Sequence, residues 1–146
     1  MSVETFADLI HQVTFHPAFV HFPIAFYFLE MGLLLGWVTQ GDQSYHFFSE
    51  MAFDLGYKFM LLTMLTGFVA AGGFSGIVGG IARHFYYAIA LFFYYSVRRF
   101  YARKADVHTS YYPFMQLAGS IVGCCLLTWV AFFGGKLIYL PVLARG

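Results

Sequence analysis

Four stretches of this chain, 17–39, 54–71, 81–97 and 114–133, run apolar for about twenty residues each and carry no more than two Asp, Glu, Lys or Arg side chains apiece. A helix of roughly 20 apolar residues matches the thickness of a bilayer's hydrocarbon core. Charge is scarce elsewhere too, at 10% of residues, where soluble domains hold about 25%. Such a chain cannot cover a water-facing surface. The expected fold is all-α and integral to the membrane: an up-down bundle of four transmembrane helices in a single domain over residues 1–146. Aromatic residues make up 22% of the chain, which suits lipid-facing walls and interfacial belts.

Residues 3–13 precede the first span. Phe6, Leu9, Ile10 and Val13 recur at helical spacing, so a short amphipathic helix is expected there. Glu4 and Asp8 stand where a signal peptide carries positive charge, and no cleavable signal is expected. Polar residues 40–49 read as the first connection, and the glycines between Gly72 and Gly80 as a close-packing turn. Gly119 with Gly123, and Gly67 with Ala71, are small-residue pairs that let membrane helices approach. Cys124 and Cys125 point about 100° apart on a helix and read as small packing residues, not as a metal or disulfide pair. Four spans place both termini on one side, here side A, with Arg83, Lys136 and Arg145. The opposite side B carries Lys58, Arg98, Arg99, Arg103 and Lys104. The excess of cations makes side B the expected cytoplasmic face, with the termini external. A net charge of +1 points away from nucleic acid.

Three of the six histidines gather at side A: His16 and His21 open the first span and His84 opens the third. First and third helices are diagonal in an up-down bundle, so at neighbour spacings of 8–10 Å they stand roughly 12–14 Å apart. Two facing imidazoles across that gap suit the axial positions of a b-type haem, given apolar walls and polar groups at the propionates. Phe22, Phe26, Phe85 and Phe92 are candidate walls, and Arg83, Lys136 and Tyr139 candidate propionate contacts. His16 and His21 lie about 140° apart on a regular helix and cannot share one iron. His21 is deeper and is the expected partner of His84, with His16 left to cap the helix or touch a propionate. The alternative is that these histidines only orient helix ends.

Glu30 lies about 13 Å deeper than His21, near the middle of the first span. A carboxylate there must face the bundle interior, pair, or stay protonated; a proton or quinone contact is one reading, and a hydrogen bond to Thr63, Thr66 or Ser120 the other. Asp54 and Lys58, four apart, read as a helix-end ion pair. His46 and His108 fall in side B connections.

His16-Pro17 and Val20-His21-Phe22-Pro23, then His84, then Gly134-Gly135 followed by Ile138-Tyr139, resemble in order the motifs of the small bacterial membrane proteins grouped as domain of unknown function 2231. The resemblance implies a four-helix domain of the bacterial cytoplasmic membrane. Some relatives are joined to Rieske-type iron–sulfur domains, which implies electron transfer. The glycine-rich turn here lacks the acidic residue found in many relatives. The expected function is a b-type cytochrome-like subunit that moves electrons within a larger redox complex and meets an electron-transfer partner on the external face, without being an enzyme alone. The alternative is a structural or assembly subunit that binds no cofactor. A transporter ranks third, since it would usually need more spans and an internal repeat.

Overall fold

The computed structural model describes residues 3–105 and 109–143, with side chains described for 16–105 and 109–137. Its helices are α1 (Val3–Gln40), α2 (Gln43–Ala70), α3 (Gly79–Lys104) and α4 (Tyr112–Leu143), with a short 3₁₀ turn at Gly73–Gly76. Among the described residues there is no strand. Residues 3–13 are not a separate helix: the backbone runs on as α1 through Pro17 and Pro23. The side chains of that segment, with its expected amphipathic face, lie outside the described residues.

Proline inside a helix leaves the carbonyl four residues earlier without its N–H. For Pro23 that carbonyl is Phe19's, and the Thr63 hydroxyl of α2 donates to it at 3.1 Å. Thr63 is therefore committed to repairing α1, while the Thr66 hydroxyl turns to the Thr63 carbonyl at 3.0 Å.

The first connection is shorter than the polar stretch suggested, because α2 already begins at Gln43. Gly41, at φ 74°, closes α1 in the left-handed region. Asp42 then caps α2, its carboxylate accepting from the Ser44 amide at 2.9 Å. His46 thus stands on α2 and not in a loop. Similarly α3 continues past residue 97 to Lys104, and α4 passes through Gly134-Gly135 without a break.

α1 packs along α2 and α4, and α3 packs along α4, whereas α2 and α3 scarcely touch. The bundle is a four-helix ring with one loose seam. His16–Gln40, α2 and Tyr112–Leu137 are long and apolar enough to cross a membrane. α3 is about 39 Å long at 1.5 Å per residue, but its arginines and tyrosines keep it from meeting that apolar standard. Outward faces are oily: Leu65, Val69, Phe93, Met115 and Trp129 are all exposed. In water these would be an aggregation surface; in a bilayer they face solvent of their own kind.

The diagonal from α1 to α3 is bridged at mid-depth. Tyr27 and Tyr95, both 0% exposed, stack at 3.8 Å with their planes 11° apart. Glu30 and Arg98 make the second bridge, one turn further toward side B.

Candidate functional site

The loose α2–α3 seam is closed in the middle, where the Tyr57 hydroxyl meets Ser96 Oγ at 2.9 Å and its ring stacks on Phe92. Toward each end it opens into a cavity.

The side A cavity holds about 120 Å³ and is lined from all four helices, with Met60, Phe68, Phe85, Leu91, Leu127 and Val130 among its walls. Its polar members are His16, His84 and Thr63. His16 Nδ1 lies 3.3 Å from Thr66 Oγ1. His84 Nδ1 is buried and makes no well-formed hydrogen bond, although the Val130 backbone lies beside it. Each imidazole rests on a glycine of a neighbouring helix. A Cβ on Gly67 would come within 2.7 Å of the His16 ring, and one on Gly134 within 2.8 Å of the His84 ring. Gly67 of α2 and Gly134, the first of the Gly-Gly pair of α4, are thus ring sockets, a role that a backbone-packing motif does not reveal.

The pair brought together is His16 with His84. His21, the expected partner, is exposed, and its Nδ1 lies 2.7 Å from the Pro17 carbonyl of its own helix. The 140° between the two α1 histidines turns one inward and the other out, and the inward one is His16. Phe85 alone of the four expected phenylalanines lines the cavity: Phe22 and Phe26 stack on Phe59, and Phe92 on Tyr57. Arg83 is exposed. The Lys136 ammonium sits 4.4 Å above the Phe132 ring. The side chains of Tyr139 and Ile138, and all of His108, lie outside the described residues. No three His, Cys, Asp or Glu side chains converge as a metal site among the described residues.

Glu30 is 2% exposed, and its partner is a residue that sequence reasoning assigned to the surface. Arg98 reaches in from α3 and grips both carboxylate oxygens, with Nη1 donating to Oε2 at 3.0 Å and Nη2 donating to Oε1. Nη2 also donates to the Gln116 carbonyl at 3.2 Å, and the Ser120 hydroxyl donates to Glu30 Oε2 at 3.1 Å. Of the three hydroxyls expected at Glu30, Ser120 is the one that arrives. Gly119 makes room for the guanidinium, since a Cβ there would meet Arg98 Nε at 3.1 Å. A fork-to-fork pair is the geometry in which a buried guanidinium and carboxylate best offset their desolvation. Asp54 pairs with Arg99 at 2.6 Å rather than with Lys58.

Around this pair lies the larger cavity, about 290 Å³, at the side B end of the seam. Its walls include Glu30, His46, Glu50, Asp54, Arg98 and Arg103. The His46 ring is held against Trp37 at 4.2 Å and edge-on to Tyr112 at 6.0 Å.

Comparison with characterised proteins and with solved structures gives no match. A family model, described as predicted membrane protein (DUF2231), matches residues 12–143, a span that includes both histidine sockets, the Glu30–Arg98 pair, α2, α3, α4 and α1 from residue 12 onward. The chain belongs to this family of predicted membrane proteins, domain of unknown function 2231.

Proposed function

We propose that the chain is a membrane subunit of a redox complex that holds a b-type haem between His16 of α1 and His84 of α3. The observation that carries this reading is the side A cavity: two imidazoles from diagonal helices line one apolar chamber, each seated on its own glycine. One of them has a buried Nδ1 without a well-formed bond. The donor set suits the group, because neutral imidazole nitrogens are the axial ligands such a haem takes. Bound there, it would supply one-electron transfer. The Gly67 and Gly134 sockets set the ring positions, the apolar walls exclude water, and the Thr66 hydroxyl beside His16 Nδ1 orients that ring, so that Nε2 is the atom that would hold the group.

At about 120 Å³ the chamber is smaller than the roughly 300–1,000 Å³ typical of cofactor pockets. Binding therefore calls for α2 and α3 to part, and theirs is the loosest contact between adjacent helices of the ring. The small volume is also the observation that favours a second reading, a structural or assembly subunit whose histidines only tie helix ends. In either case we place the chain in the bacterial cytoplasmic membrane, with side B toward the cytoplasm and any electron-transfer partner at side A.

A reduced-minus-oxidised spectrum of the purified protein decides between them. Haem between His16 and His84 requires Soret and α bands in wild type and in His21→Ala, and their loss in His16→Ala and His84→Ala. Absence of haem at stoichiometric level from protein purified from haem-replete cells would end the haem reading. Bands that survive His16→Ala but vanish in His21→Ala would move the ligand.

A further inference from the structure

The side B cavity stands apart from the histidine chamber, and its chemistry is different. Three carboxylates (Glu30, Glu50, Asp54) and three guanidiniums (Arg98, Arg99, Arg103) line it. With His46 neutral the wall has no net charge, so it selects neither an anion nor a cation. It is polar and roomy: about 290 Å³ accommodates about ten waters at about 30 Å³ each. Exposure falls in steps along it, from 61% for the Glu50 side chain and 46% for Asp54 to 9% for Arg98 and 3% for Glu30. Beyond Glu30 the way is shut by the Tyr27–Tyr95 stack, whose members have no exposure.

We propose that this cavity is a water-filled port through which Glu30 exchanges protons with side B alone. An ion pair at mid-membrane is costly when dry, and a hydrated flank lowers that cost while leaving the pair in place. The groups around the carboxylate are Arg98 from α3, Ser120 and Gln116 from α4, and Phe53 from α2, whose ring lies 5.0 Å from the guanidinium carbon. Tyr27, Tyr94, Tyr95 and Cys124 are the other ionisable neighbours, sharing its electrostatic field. In the exchange, a hydronium ion in the port gives a proton to a Glu30 oxygen and becomes water. Arg98 keeps its charge and all its protons, and the N–H that loses its carboxylate acceptor turns to port water. This reading is independent of haem: a dry histidine chamber leaves it untouched.

The test uses the full-length chain in right-side-out and inside-out vesicles, in a Cys124→Ser, Cys125→Ser background. Single cysteines are placed in the port (Ser49→Cys, Ala102→Cys) and on the lipid face at Val97 (Val97→Cys), which is 52% exposed on the bundle's outer surface. A membrane-impermeant, positively charged thiosulfonate should modify the two port cysteines at least tenfold faster than the Val97 control, and only when applied at side B. Equal rates at all three would mean a dry cavity, and equal access from both sides an open channel; either outcome overturns the proposal. A second measurement needs no cysteine. The acid-minus-neutral infrared difference spectrum of wild type should contain a carboxyl C=O band that Glu30→Gln lacks and that shifts within minutes in D2O. Absence of that band, or its failure to exchange, refutes proton access to Glu30.

Discussion

Replacing Arg98 by methionine strands the Glu30 carboxylate with one donor, the Ser120 hydroxyl at 3.1 Å. Breaking a buried pair from one side typically costs about 3–5 kcal/mol. A second route to the magnitude agrees. The stranded group stays buried only as a neutral acid, and holding it so costs about 1.4 kcal/mol per pH unit above the ordinary carboxylate value of about 4.3, or about 3.7 kcal/mol at pH 7. At pH 5 the same arithmetic leaves about 1 kcal/mol. The sign follows from proton counting: the folded variant carries a proton that its unfolded chain has released, so its stability falls as pH rises from about 4.3 upward. Unfolding of wild type and Arg98→Met, titrated with SDS in mixed micelles at pH 5 and pH 7, should therefore show a deficit at pH 7 that exceeds the one at pH 5 by about 2.7 kcal/mol. In Glu30→Gln/Arg98→Met the pH dependence of the deficit should vanish. A deficit equal at both pH values, or one below about 0.5 kcal/mol at pH 7, would show that the pair is not the buried unit described above.

Gly134→Ala should push the His84 ring off its socket, where the new Cβ would lie 2.8 Å from Cε1. Because a side-chain ring can rotate away, the stability loss should stay at or below the low end of overpacking costs, about 1 kcal/mol, while haem bands, if present in wild type, weaken severely in the spectrum. Thr63→Val removes the donor that serves the Phe19 carbonyl across from Pro23 and should cost about 1–3 kcal/mol by SDS titration. The Ser44 amide holds the Asp42 carboxyl below the usual aspartate range. The cap's contribution is thus full above the ordinary carboxylate range and is lost only as pH falls through the lowered value. Asp42→Ala should speed amide exchange in the first turn of α2 at neutral pH, and wild type should match it only in strong acid.

Helix count, order and the membrane environment were legible because the chain falls into four runs poor in charge, three of them apolar enough to cross a membrane, and that signal survives any detail of side-chain geometry. Helix ends were less so. Residues 40–49 look like a loop by polarity, yet Gly41 and Asp42 suffice to stop one helix and start the next. The gathering of histidines at side A followed from up-down topology alone. Which α1 histidine faces inward did not: depth favoured His21, but the rotation of the helix is fixed only by its neighbours, and it turns His16 toward the chamber and His21 outward. Arg98 was hidden for a different reason. It sits in a basic run at a helix end, where the positive-inside pattern accounts for it fully, and nothing local marks one arginine of several as the one that turns inward. The only sequence trace is indirect: Glu30 needs a cation, and Gly119 with Ser120 on α4 opens the space for one.

Apart from Tyr45, which lies on Gly36 across the short α1–α2 connection, the large polar side chains His16, Tyr27, His84, Tyr95 and Arg98 rest on glycines of other helices: Gly67, Gly56, Gly134, Gly123 and Gly119. Every such pair is a shared constraint written at two distant positions in the chain. Relatives that lose a ring should be free to gain a methyl at its glycine, while relatives that keep the ring should not. The family's sequences thus carry a ledger of paired changes, and reading which pairs change together, and which never do, would separate rings kept for chemistry from rings kept for shape.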